Sequence, residues 1–453
     1  MKIITNAMII ICTTVFGLSG MSQEKGIETK INPDAAQVSC SITVKAEKKQ
    51  QMTYGMDFER LWAWDDLEPD EKVKVSKMAV KDCKVDYVRV GINCSAELKE
   101  GEIKWEAYDE ILDCMNHLRK ARPDIKFFAI PRPLHVGATE EVPYICYPLW
   151  IAEFGEPNSK GKRKCTKFHP DKAADYLVRY LKFIRGKGFE ITYMDTKNEN
   201  DFLRPPELSK MVARIKEQLG DKTPIIIAPS SYDYQSGTGW LQEAIEKKET
   251  DFFQIAATHN TKEKGSLEEF VKLAQTINKP SWNTELHDFK GPDNVAALNT
   301  EILFKQVRAG ISGISEWMSL GQGKKEHKMF RAVDGKLVAM RTYYIFKQLV
   351  NTSGGGNYLH TDIPEEITTS AAFIKENTLT IWALNADEET IANLSVQLEK
   401  YKIDKGDVEV MSWGPIDPRE GSVKTLKVVQ GADKFNCNIP PCTLHCYAFK
   451  IKE

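Results

Sequence analysis

Between residues 51 and 350, short apolar runs alternate with longer segments whose apolar residues recur at helical spacing, and few folds accommodate that alternation. The runs are MTYGMDF (52–58), YVRVGIN (87–93), KFFAIPRPL (126–134), ITYMDT (191–196), PIIIAPSS (224–231), FFQIAATHN (252–260), PSWNTEL (280–286) and GISEWMSL (313–320). Short runs that stay apolar on successive residues suit strands buried on both faces, and helices in between supply the cover. Eight such strands are the number that closes a parallel barrel. The expected fold class is therefore α/β: a (β/α)8 barrel over residues 51–350.

The helices can be counted position by position. Leu208, Met211, Val212, Ile215 and Leu219 fall at offsets 0, 3, 4, 7 and 11, after Pro205 and Pro206. Ser266 and Glu269 have capping-box spacing, with Phe270, Leu273, Ala274 and Ile277 on one face, and Leu177, Tyr180, Leu181 and Ile184 repeat the pattern. After RTYYIFKQLV (341–350) the glycine-rich NTSGGGN breaks the rhythm, and alternating segments such as LTIWAL and VKTLKVV follow. This predicts an antiparallel β-sandwich over 351–453. VSCSITV (38–44) alternates too, so residues 23–50 are expected to add a strand to that sandwich.

Residues 1–22 read as a secretory leader: Lys2, then the apolar AMIIICTTVFG, then the small residues GLSG. The apolar run is shorter than the roughly 20 residues a bilayer requires. Export to a periplasmic, cell-surface or extracellular location is the expectation, with no membrane span in the mature chain. Met21, rather than a cysteine, follows GLSG, so nothing supports a lipid anchor. The 62 basic and 64 acidic residues leave a net charge of −2, which provides no field for nucleic acid. A monomer is expected. Nine cysteines remain after Cys12; Cys146 and Cys165 flank a loop and are candidates for a bridge. Cys437, Cys442 and Cys446 lack metal-ligand spacing, and no HExxH, phosphate loop or dinucleotide fingerprint occurs. Neither metal nor cofactor is expected.

A β/α barrel collects its reactive groups where the strands end, which removes most of the acidic residues from consideration. Glu199, after the fourth run, and Glu285, ending the seventh, remain, with Asp57, Arg89, Arg132, Asn198, His259, His287, Glu316 and Trp317 at comparable positions. Two carboxyl groups facing each other across a barrel mouth meet the needs of glycosidic bond cleavage, one donating a proton to the leaving oxygen and the other acting at the anomeric carbon. Spacing alone equally allows two strand-end acids in loop salt bridges.

KNEND (197–201) and SWNTEL (281–286) resemble the signature of the clan A retaining glycoside hydrolases, in which an Asn-Glu pair ends strand four and a nucleophilic Glu ends strand seven. SWNTEL, the sandwich built from both chain ends and the closing IPPCTLHCYAFKI are most similar to glycoside hydrolase family 30. The resemblance implies an acid/base role for Glu199, a nucleophilic role for Glu285 and a contact from Asn198 to the sugar 2-hydroxyl. It also implies that Arg89 keeps Glu285 ionised and that Trp317 forms a platform under the sugar. Two departures stand out: Asn200 occupies the place of a usual Pro, and YGMDFERLW lacks the expected glycine-rich run.

His259 is read either as a site residue beside Glu285 or as a satisfied rim histidine, and Asp57 as an acceptor for a sugar hydroxyl. Glu316 is the rival of Trp317, since strand alternation lets only one of them face the mouth easily. Trp62, Trp64, Tyr144, Tyr147, Trp150, Tyr232, Tyr234 and Trp240 lie in the loops, and flat aromatic faces suit the C–H sides of sugar rings; Trp64 and Tyr232 are the ones assigned to substrate. Arg132, His135 and Arg204 suit either an acidic sugar or plain solvation. The resulting reading is an exported retaining β-glycosidase acting on β-linked glycans; a carbohydrate-binding protein with an inactive barrel and a transglycosylase are the alternatives.

Overall fold

The computed structural model describes residues 35–59, 67–132, 146–159, 163–200, 202–262, 264–287, 293–322 and 328–452. The eight apolar runs form one closed barrel from Thr53–Asp57, Tyr87–Ile92, Lys126–Pro131, Ile191–Asp195, Ile225–Ser231, Ile255–His259, Ser281–Leu286 and Ile311–Glu316, numbered barrel strands 1 to 8. Neighbours are parallel throughout, and strand 8 closes on strand 1 with Gly313 opposite Thr53 and Glu316 opposite Met56.

The barrel interior is filled by side chains. Tyr87, Phe128, Ile130, Tyr193, Ile227, Ile255, Ala257 and Trp282 make a core of their own, in which Tyr87 and Trp282 stack with centroids 5.4 Å apart. Two glycines make room for this plug. A Cβ on Gly55 would stand 2.1 Å from the Tyr87 ring, and one on Gly313 would stand 2.3 Å from Trp282. Side chains alternate along a strand, so Tyr87 and Arg89 share the inward face, as do Tyr193 and Asp195, and Ala257 and His259. The second member of each pair lies one layer nearer the C-terminal mouth.

The helices cover the barrel with the faces their spacing predicts. Leu208, Met211, Val212 and Ile215 are buried on Pro205–Leu219, and Leu177, Tyr180, Leu181 and Ile184 on Pro170–Gly186. Ser266 caps Leu267–Thr276 by accepting the Glu269 N–H at 3.1 Å.

The second unit is a ten-stranded sheet. It folds over itself: Phe435, on Lys434–Ile439 at one end of the strand order, packs 5.5 Å from Tyr447 on Thr443–Lys452. Gln37–Gln51 lies within this sheet, antiparallel to Asn357–Asp362 and parallel to Ile391–Leu398. The sheet is therefore mixed at that one strand, because the N-terminal segment enters between strands from the far end of the chain. Trp382 joins the two units, packing against Phe304 of the barrel helix Thr300–Ala309 and stacking on Trp413. Arg341 donates to the Gly414 and Asp417 carbonyls at 2.6 and 2.7 Å.

All nine cysteines after Cys12 are free thiols. The Cys146–Cys165 bridge does not form, because Cys146 is buried with its thiol on the Asn198 carbonyl whereas Cys165 lies on a separate hairpin with its thiol on the Lys167 carbonyl. Residues 1–22, expected to be a leader, lie outside the described residues. No described helix is long and apolar enough to cross a membrane.

Overpacking a filled core costs about 1–3 kcal/mol. Gly313→Ala is expected to lower the unfolding free energy by about that much in urea titrations. Gly239→Ala serves as the control: a Cβ there meets nothing within 4 Å on the exposed face of Tyr234–Glu246, so it should be neutral or stabilising.

Candidate active site

At the barrel mouth a single guanidinium organises three strand ends. Arg89, wholly buried, donates through Nη1 to Asp57 at 2.6 Å and through Nη2 to the Asn198 side-chain oxygen at 3.0 Å and to Glu285. Glu59 lies 3.9 Å from Nη1. An unpaired charge at this depth would be strongly unfavourable, and the surrounding carboxylates compensate it. Burial works against the charge on Glu285, but Arg89, then His259 and His287, outweigh it and hold the carboxyl well below the usual range. Asp57 goes the other way: burial and the neighbouring Glu59 push it up to about 7 against the pull of Arg89.

Glu199 stands on a tight turn after strand 4. Asp195, the last residue of that strand, accepts the N–H groups of Lys197 and Asn198 at 2.8 and 3.1 Å. The chain then passes through two left-handed residues, Asn198 at φ 38° and Glu199 at φ 64°. Such conformations cost non-glycine residues on the order of 1–3 kcal/mol each and persist only where the surroundings over-determine them. Here the Glu199 N–H is tied to the Ser230 carbonyl at 2.9 Å. The Asn198 amide donates to the Pro131 carbonyl at 3.2 Å.

His259, fully buried, connects the two acids. Its Nδ1 lies 2.8 Å from Glu199 and 3.6 Å from Glu285, and its Nε2 lies 3.0 Å from the Thr284 hydroxyl. Burial alone would lower its pKa; Glu285 and Glu199 reverse this and raise it. Glu199, His259 and Glu285 each offer an atom within 4.8 Å of the others, a spacing a metal ion could also use. One Glu285 oxygen is already bound to the Arg89 cation, however, and His259 Nδ1 is committed to Glu199. That pattern suits a proton-handling pair better than a cation site.

The structure thus brings together Glu199, Glu285, Asn198, Arg89, His259 and Asp57. Trp317 joins them at the rim beyond strand 8, its ring 4.4 Å from His287 and its indole N–H 3.4 Å from Glu59; its rival Glu316 is buried. Tyr232 is half-buried after strand 5, close enough for Glu199, after burial, to raise its hydroxyl pKa. Trp62, Trp64, His135 and Tyr144 lie outside the described residues.

Three sets of these residues are engaged within the protein. Asp57 is buried, with one oxygen on the Arg89 guanidinium and the other accepting the Glu59 N–H at 3.0 Å, so it supports Arg89. Asn198 is 2% exposed with its amide turned inward. Tyr147, Tyr234 and Trp240 are packing residues, with the Tyr147 hydroxyl on the Thr196 carbonyl and the Trp240 indole on the Leu203 carbonyl.

Sequence reasoning passed over Asp195, although an Asp three residues before Asn198 is the spacing of a side-chain-capped turn. It also passed over Asn283, which accepts the Glu285 N–H at 3.0 Å and donates to Asn260 and Gln306. Nothing in its sequence context marks that role.

By sequence, the chain matches no protein-family model and no curated protein. By structure it is similar to glycoside hydrolases. A family 30 subfamily 8 xylanase from Clostridium acetobutylicum superposes with a TM-score of 0.68 at 15% identity, over 90% of this chain and 99% of that one. The catalytic domain of a family 30 xylanase from Talaromyces cellulolyticus gives 0.70 at 12% identity, over 91% and 100%. An endo-β1,6-glucanase gives 0.65 at 16% identity, over 90% and 94%. The chain has the fold of these proteins, barrel and β domain together.

Folding raises the proton affinity of Asp57 from an unfolded value of ~3.9 to about 7, and that of His259 above ~6.5. The folded state then binds more protons than the unfolded one, and stability falls as pH rises through neutrality. Glu285 acts in the opposite sense: its contribution is complete above its unfolded pKa of ~4.3 and is lost as pH falls below it. The melting temperature is therefore expected to peak at about pH 4, where the gain from Glu285 is nearly complete and the loss from Asp57 begins. Asp57→Asn should flatten the decline between about pH 4 and 7; an unchanged slope would exclude Asp57 as its source.

Proposed function

We propose that the protein is an exported retaining β-glycosidase that hydrolyses β-linked glycans by double displacement. The observation that carries this reading is the spacing of the two acids: oxygens of Glu199 and Glu285 lie within 4.8 Å across the barrel mouth. Retaining enzymes hold their carboxyl groups ~5–5.5 Å apart, whereas inverting ones need ~6.5–9.5 Å to admit a water.

The environments of the two acids suit different roles. Arg89 keeps Glu285 ionised, as a nucleophile requires. Glu285 attacks the anomeric carbon from one face while Glu199 transfers its proton to the departing oxygen, leaving a glycosyl ester on Glu285. Glu199, now ionised, takes a proton from a water that attacks the same carbon, and release of the sugar restores both carboxyl groups. His259 holds the Glu199 carboxyl in line. Trp317 and Tyr232 frame the sugar. The likeness to xylanases and a glucanase supports β-glycans as the substrate class. Export rests on the apolar leader of residues 1–22.

The test is incubation with a panel of β-linked polysaccharides, with the first-formed anomer followed by proton NMR. Release of the β-anomer before mutarotation is expected, and an α-anomer would overturn retention. Glu285→Gln should lower turnover by on the order of 10⁴-fold or more on every active substrate; an unchanged rate would remove Glu285 from the mechanism.

A further inference from the structure

We infer, on the basis of the glycosidase reading above, that Asn200 is a positioning residue for the acid/base carboxyl: its side-chain amide clamps the left-handed turn that presents Glu199. Asn200 is 1% exposed, and its side-chain hydrogen bonds go to Lys197, Asn198 and Cys146 rather than to Glu285, Arg89 or His259. Its polar atoms are spent on the turn. The amide nitrogen donates to the Lys197 carbonyl at 2.6 Å and to the Asn198 carbonyl at 3.1 Å, and the amide oxygen accepts the Cys146 N–H at 3.3 Å. Its own backbone N–H closes the turn onto the Lys197 carbonyl at 3.2 Å. Lys197 and Asn198 are buried, and one planar amide bonds both of their carbonyls, beside the Asn200 N–H on the first and the Cys146 thiol on the second. The same amide ties the turn to the segment after strand 3.

Loss of this clamp removes two of the hydrogen bonds that hold Asn198 and Glu199 at φ 38° and 64°, leaving the turn to the bonds of Asp195, Ser230 and Pro131. Relaxation of Glu199 toward ordinary backbone angles would carry its carboxyl away from His259 and Glu285. Aspartate has nearly the same shape and keeps the acceptor for the Cys146 N–H, but it replaces both donors with oxygen facing two carbonyls. Alanine removes the amide altogether.

Proton donation matters only when the departing group is a poor one, so the leaving group reports on Glu199 specifically. For the sugar identified by the polysaccharide panel, kcat/KM is compared on its dinitrophenyl glycoside, whose phenolate leaves unassisted, and on its alkyl glycoside, which requires a proton. Asn200→Asp should lose about 10²-fold or more on the alkyl glycoside and only a few-fold on the dinitrophenyl glycoside. Added azide, which needs no general base, should restore its kcat on the dinitrophenyl substrate. Thermal melting establishes that the variant is folded, and Asn200→Ala reads the same comparison should the charged variant not fold. Equal losses on both substrates would overturn the inference, since a merely structural residue lowers both alike. Glu199→Ala is run in parallel. If it shows no leaving-group dependence, the acid/base assignment itself fails and takes the inference with it, and the discrepant variant identifies which reading was wrong.

Discussion

The site depends on one buried cation. Arg89 sits on the second strand with no exposure to water, and its partners come from the end of strand 1, the turn after strand 4 and the end of strand 7. These segments are separated by up to 228 residues (285 minus 57) yet must arrive within bonding distance together. Removing Arg89 would leave the carboxylates buried without their cation, a loss of about 3–5 kcal/mol for a broken buried pair, so the group depends on it as a unit. The aromatic plug beneath sets its height, because Tyr87 and Arg89 occupy successive inward layers of the same strand.

From that arrangement follows the difference between two residues of identical chemistry. Glu285 lies against the guanidinium and is held ionised, whereas Glu199 stands on a strained turn whose nearest side-chain partners are His259 and Thr261. Two carboxyl groups of one type thus meet different surroundings, a guanidinium at Glu285 and an imidazole and a hydroxyl at Glu199. The strain is located: three non-glycine residues with positive φ, Asn198, Glu199 and Ser230, face one another at the ends of strands 4 and 5. Here the backbone is bent to aim a side chain.

The sandwich contributes by anchoring. Its tryptophan pair packs on the helix Thr300–Ala309, Arg341 is bonded to the Gly414 and Asp417 carbonyls, and Arg419 meets Asp293 at 2.7 Å. These contacts restrain the helices flanking strand 8 and thereby the segment carrying Trp317. The N-terminal strand makes the anchor continuous with the barrel, running from the sheet into Thr53–Asp57 with only Met52 between.

Barrel strands and cover helices were legible because their signal is local: uninterrupted apolar runs and the 3, 4, 7 spacing follow from burial on two faces or on one, and burial of that kind is written residue by residue. Glu199 and Glu285 stood out because one follows such a run and the other ends one. The direction of side chains at the mouth was not legible. Whether Asp57 meets a sugar or a guanidinium, whether Asn198 turns outward or inward, and which aromatics pack rather than line the opening depend on partners dozens to hundreds of residues away. Asn200 shows the division most clearly. As a letter in KNEND it was a departure from expectation with no stated consequence, and only the fold, by burying Lys197 and Asn198 and bringing Cys146 alongside, gave its amide something to hold. Sequence determined where the strands run and which acids end them; tertiary structure decided what each side chain faces, because a hydrogen bond or a charge pair exists only once both partners have been placed.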